Sequence, residues 1–156
     1  MLNDYHIQFL HLLVRRNVKF LVVGGQARWL LNRVQQTRDL DVWMSVAEAD
    51  KPALEQALVA WSAAHPAHTA MPLQAPLPLR PGVQIAFPDC DGVAYMVRTG
   101  QIQELSVRDR IDVLTSLAGM EFEECFARGV QYDIDGVAVR ALCKSDLDQA
   151  ALLRSD

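Results

Sequence analysis

The sequence predicts a mixed α/β (α+β) fold, one sheet flanked by helices, in a single domain over residues 1–156. Three observations predict it. A β-branched apolar run over residues 18–23 ends on Gly24 and Gly25 and gives way to helical periodicity. A second apolar run, "DLDVWMSV", follows within one short helix. The distal half is dominated by strand-like runs with turn signals between them. Helices interleaved with strands, then strands with short helices, need one sheet with helical cover.

In chain order, residues 4–16 carry an apolar stripe of Phe9, Leu10, Leu13 and Val14, with Asn3 or Asp4 as cap and Asn17 as terminator. "VKFLVVGG" reads as a buried strand. In "QARWLLNRV", Ala27, Leu30, Leu31 and Val34 share one helical face. "DLDVWMSV" is the second strand. Asp50 and Pro52 open a helix whose Leu54, Ala57, Leu58 and Trp61 repeat that spacing. Residues 65–82 hold five of the seven prolines and predict an extended surface loop. "VQIAF" and "VAYMV" flank the turn signal "PDCDG". "RIDVLTS" is a further strand, Phe122, Cys125 and Phe126 mark a short helix, and "VQYDIDGVAVRAL" is a hairpin turning at Asp135-Gly136. "SDLDQAALLR" is a closing helix with Ser145 as cap.

Composition narrows the function classes. The length of 156 residues suits one core. No apolar run is long enough to span a bilayer, and "MLNDYHIQF" lacks the layout of a secretory signal. Cys90, Cys125 and Cys143 have neither zinc nor disulfide spacing, so reduced thiols and a cytoplasmic location are expected. The net charge of −4 argues against general nucleic-acid binding. Charge is uneven, however: residues 5–38 contain no acidic side chain but include Arg15, Arg16, Lys19, Arg28, Arg33 and Arg38. The first three read as solvated surface. For Arg28, Arg33 and Arg38 an anionic ligand and a plain surface role are both open.

The chemistry-bearing pattern is the glycine pair followed by two alternating aspartates. Alternation puts Asp39, Asp41 and Trp43 on one strand face and Leu40, Val42 and Met44 on the other. The two carboxylates are then about 6.5–7 Å apart along the strand, near enough to converge on cations. Like charges there repel and raise at least one pKa unless a divalent cation offsets them. Hard oxygen ligands suit Mg²⁺, which also takes phosphate oxygens. A glycine turn running into a helix offers backbone N–H groups and a positive dipole end to phosphate. Each half alone has an ordinary reading, a tight turn and a solvated strand edge. Together they fit a nucleoside triphosphate with its metal. Trp43 suits base stacking or a packed core, the core being the more common place. His65 and His68 in the proline loop, and Asp89 and Asp91 in a turn signal, read as solvent-facing and conformational.

With "VVGGQA", thirteen intervening residues between Gly25 and Asp39, and then "TRDLDVWM", the chain resembles the DNA polymerase β nucleotidyltransferase superfamily. The segment from "RDRIDVLTS" onward is similar to small bacterial members related to abortive-infection and toxin–antitoxin nucleotidyltransferases. The resemblance covers residues 8–64 and 108–150, and 65–107 match nothing. It implies a nucleotidyltransferase-like mixed sheet flanked by helices and Mg²⁺ (or Mn²⁺) as cofactor. It also implies transfer of a nucleoside monophosphate from a triphosphate such as ATP to a hydroxyl of a protein, RNA or small molecule. Gly24, Gly25 and Gln26, with Thr37 and Arg38, would bind the nucleotide. Asp39, Asp41 and Asp112 would be the catalytic, metal-binding carboxylates. A strand carboxylate paired with Arg110 is the alternative for Asp112. The chain departs from the family pattern at Ala150 and Ala151, where a lysine is expected, with Lys144 as a substitute. The alternative implied by that departure is a weakly active or inactive binding module, one half of a toxin–antitoxin-like pair with a cognate protein partner.

Overall fold

The computed structural model describes residues 2–34, 38–64, 73–87, 96–99 and 110–155, with 96–99 and 154–155 as backbone. Thr37, His65, His68, Asp89, Cys90 and Asp91 lie outside the described residues.

Helix α1 (Asp4–Arg15) starts at Asn3, whose Oδ1 accepts from the His6 amide at 2.8 Å while the His6 ring faces the Asn3 amide. Asn3 is thus the cap, leaving Asp4 in the first turn. Asn17 stops the helix at φ 58°, a left-handed conformation that asparagine tolerates. Strand β1 (Phe20–Val23) is buried at every residue and runs into α2 (Gly24–Asn32) with no loop between. The helix therefore begins at the glycines, two residues ahead of Gln26.

Strand β2 (Leu40–Met44) is followed by α3 (Lys51–Ala64), which buries Leu54, Ala57, Leu58 and Trp61 as its spacing requires. Strands β3 (Val83–Phe87) and β4 (Met96–Thr99) form an antiparallel pair, and β5 (Ile111–Leu114) follows. After α4 (Phe122–Arg128), the hairpin of β6 (Val130–Ile134) and β7 (Val137–Ala141) turns through Asp135 at φ 51° and Gly136 at φ 87°. Two successive positive φ values match the twist of a two-residue hairpin, the reason Asp-Gly occurs there. Helix α5 (Lys144–Ser155) begins one residue before Ser145, so that serine sits in the first turn rather than at the cap.

The described part of the proline segment, 73–82, has no helix or strand and is mostly exposed, as expected of an extended surface loop, yet it is anchored. Leu73 and Leu79 are buried in the core, the Leu73 amide donates to Ser62 Oγ at 2.9 Å, and the Leu77 amide donates to Glu55 Oε2 at 2.7 Å. Leucines between the prolines strap the segment onto α3, because their burial outweighs the lack of regular structure.

The seven strands form one sheet in the order β4-β3-β5-β2-β1-β7-β6. Pairs β1–β7 and β2–β5 are parallel and the others antiparallel. This is the mixed α/β architecture the sequence predicts. Directly paired residues share a face. Phe87, on one face, meets Phe9 of α1, which meets Trp61 of α3 at 5.0 Å between ring centroids. The other face carries α2 and α4: Trp43 packs edge-on to Phe122 at 5.2 Å, and α2 rests on β1, β2 and α5. Both faces are thus covered and the core is continuous through the sheet. Among the described residues, no helix is long and apolar enough to cross a membrane.

Candidate active site

The site grows from a single row across the sheet. The register pairs Val23 of β1 with Asp41 of β2, Asp41 with Asp112 of β5, and Asp112 with Ala86 of β3. Paired residues point the same way, so two carboxylates from strands 71 positions apart in sequence stand side by side. They are flanked by Val23 on one side and Ala86 on the other. Parallel pairing of β2 with β5 is what brings them abreast.

Gly24 closes over this row. A Cβ there would come within 2.7 Å of Asp41 Oδ2, and the backbone stands at φ +66°. Both facts exclude a side chain: the first by contact with a carboxylate oxygen, the second because L residues disfavour that region. Val23 caps α2 with no side-chain hydrogen bond, and the N-terminal turn of the helix faces the space in front.

That space is a cleft of about 460 Å³, lined by Gly24, Gly25, Arg28, Asn32 and Asp41 on one side. Leu114, Leu117, Leu142, Leu147, Ala150 and Ala151 complete its walls. Gln26 is 1 % exposed and is not part of the lining. Arg38 is exposed ahead of β2. Trp43 is 2 % exposed and belongs to the core, the commoner of its two roles. Arg33 stacks on Trp29 at 4.3 Å, whereas Arg28 lines the cleft. Ala150 and Ala151, at the far wall of the cleft, bring it no charge.

Electrostatics dominate the acidic row. Asp41 is half-buried, and its carboxyl is pushed up to about 7 by burial, then by the charges of Asp112 and Asp39. Asp112, 2 % exposed, is also raised, chiefly by burial. Each carboxyl acts on the other: Asp112 helps to raise Asp41, and both are shifted upward together.

Arg110 stands two residues before Asp112, between it and Asp39. Its Nε donates to Asp112 Oδ2 at 3.0 Å, its guanidinium lies 3.4 Å from Asp39 Oδ2, and its backbone amide donates to Asp39 Oδ1 at 3.1 Å. The pairing of Arg110 with Asp112, the alternative weighed from sequence, is formed. It does not remove Asp112 from the row, because Asp112 meets Arg110 and Asp41 together.

The fit to a divalent cation is specific to two groups. Asp41 and Asp112 offer hard oxygens crowded by burial and by each other's charge, with Arg110 Nε 2.9 Å from Asp112 Oδ1. Asp39 faces Arg110 instead, and among the described residues no three His, Cys, Asp or Glu side chains are grouped to hold a metal ion as they stand.

Two participants escaped the sequence reading. Asn32 lines the cleft from the end of α2, and Asp148 of α5 binds Arg28 at 2.8 Å from 120 positions away. Asp148 lies one turn after Lys144 and bonds it at 2.9 Å, a spacing visible in the sequence; its reach to Arg28 is set by how α5 packs on α2. No family model matches the chain, and no curated protein is significantly similar to it.

Proposed function

We propose that the protein is a Mg²⁺- or Mn²⁺-dependent nucleotidyltransferase that moves a nucleoside monophosphate from a nucleoside triphosphate to a hydroxyl group. The observation that carries this reading is the pairing of Asp41 with Asp112 across β2 and β5, under a glycine that leaves Asp41 uncovered beside an open cleft. A divalent cation bound by Asp41 and Asp112 would offset charge on the phosphates during in-line attack. Asp39 would join them on leaving Arg110. The α2 amides after Val23 would hold phosphate oxygens, and Gly24 keeps the approach free of a side chain. A carboxylate of the row that is not neutralised by cation or Arg110 would accept the proton of the attacking hydroxyl. The apolar wall of Leu114, Leu117, Leu142 and Leu147 would exclude water from the transferring phosphorus.

The test is transfer. Incubating the protein with labelled nucleoside triphosphates, Mg²⁺ and cell extract should label an acceptor, and the Asp39→Asn/Asp41→Asn protein should not. Equal labelling by both would reject the assignment.

A second reading rests on Arg110. Its guanidinium supplies a positive charge where Asp112 and Asp39 would otherwise need a metal, and no lysine stands at Ala150 or Ala151. That arrangement favours a nucleotidyltransferase-like binding module with little turnover, held in a toxin–antitoxin-like pair. Stable co-purification with a partner, with no metal-dependent triphosphate binding by calorimetry, would favour it over the enzyme.

A further inference from the structure

We infer that Arg28 is the phosphate-binding cation of the cleft, held by Asp148 and released by an exchange of partners when a triphosphate enters. The inference rests on the nucleotide reading of the cleft and adds a residue that no resemblance supplies.

Arg28 is the one basic side chain among the described residues that line the cleft. It stands one helical turn beyond Gly24 on α2, so the two share a face. The opposite wall contributes Leu147, Ala150 and Ala151, which bring no charge. A polyanion in this cleft has Asp41 in front of it and Arg28 as the adjacent compensating charge. A planar guanidinium suits the task, since its paired N–H groups match two phosphate oxygens.

The resting partner makes release easy. Arg28 Nη2 bonds Asp148 Oδ1 at 2.8 Å, while Lys144 Nζ bonds the other oxygen, Oδ2, at 2.9 Å. Asp148 thus stays neutralised by Lys144 when Arg28 leaves. Its side chain is 46 % exposed, so water also covers the vacated oxygen, and pairs this exposed are weak. Lys144 acts through Asp148 rather than on the ligand.

Calorimetric titration of the full chain with each of the four ribonucleoside triphosphates in Mg²⁺, and with the matching monophosphates, tests the exchange. Arg28→Ala should lower triphosphate affinity at least tenfold and change monophosphate affinity less than twofold, and Arg28→Lys should fall between. Asp148→Asn should raise triphosphate affinity about threefold or more, because Arg28 no longer has a charged competitor. A gain of affinity cannot come from misfolding, so this variant keeps the test decisive if Arg28→Ala is unstable. Unchanged triphosphate affinity in Asp148→Asn, or in a folded Arg28→Ala, overturns the role of Arg28 and leaves the nucleotide reading standing. No triphosphate binding by the wild-type protein overturns both.

Discussion

Replacing Asp41 by asparagine should stabilise the metal-free protein more at pH 8 than at pH 5. The folded state holds the Asp41 carboxyl near 7 against an ordinary value of 3.8, mainly through burial and then through Asp112 and Asp39. Folding therefore favours the protonated form. Between those two values the folded protein binds more protons than the unfolded chain, so stability falls as pH rises through the window. The contribution is intact below the unfolded value and fully lost above the folded one. With these values the wild-type protein loses about 2–3 kcal/mol from this one group between pH 5 and pH 8. Asparagine has no such proton to lose. Its own fixed cost, an altered hydrogen bond to Asp112, is nearly the same at both pH values and cancels in the comparison. For a domain of this size the difference corresponds to about 5–10 °C in Tm. Thermal melts of both proteins in EDTA at the two pH values measure it, and saturating Mn²⁺ should narrow the gap by stabilising the wild-type at pH 8. An asparagine variant whose Tm offset is the same at both pH values would show that neither burial nor its acidic neighbours hold the Asp41 proton, and the charge conflict behind the metal reading would be gone.

Divalent-cation affinity should follow the same proton: below pH 7 the apparent Mn²⁺ affinity should fall by about tenfold per pH unit and level off above it, as read by calorimetry. Arg110→Gln leaves Asp112 and Asp39 without their cation and should cost about 2–4 kcal/mol in EDTA, much of it restored by Mn²⁺; urea unfolding with and without metal measures both. Gly24→Ala forces a Cβ toward Asp41 at an unfavourable φ and should cost about 1–3 kcal/mol together with triphosphate binding, by urea unfolding and calorimetry. Trp43→Ala should cost about 3–5 kcal/mol, while Trp43→Phe should keep triphosphate affinity within about twofold, since Trp43 packs on Phe122 rather than lining the cleft.

Local patterns carried much of the fold into view. The 3.6-residue spacing of Leu54, Ala57, Leu58 and Trp61 located α3, and Asp135-Gly136 located the β6–β7 turn. Alternation put Asp112 on the opposite side from Ile111 and Val113, which is why it reaches the row beside Asp41. What local pattern could not convey was set by packing at a distance. The parallel register of β2 with β5 depends on strands far apart in sequence. The capture of Asp39 by Arg110 needs that register before the two meet. Sequence left Arg28 undecided alongside Arg33 and Arg38, and only the packing of α5 on α2 brings Asp148 to it. Proline content signalled the loop at residues 73–82 but not that Leu73 and Leu79 anchor it.

The central parallel pairings also dictate when the site can exist during folding. Val22 meets Ala141, and Leu40 meets Ile111, so the middle of the sheet closes over long stretches of intervening chain. Closure of such loops is entropically slow compared with hairpins and helices, which form from neighbours. The hairpin of β6 and β7 and helices α1 and α3 should therefore assemble early, with Asp41 and Asp112 still hydrated and apart, and their mutual repulsion would enter only when the parallel strands dock. A cation at that step would act as a folding catalyst as well as a ligand, and refolding in Mn²⁺ would be faster than in EDTA.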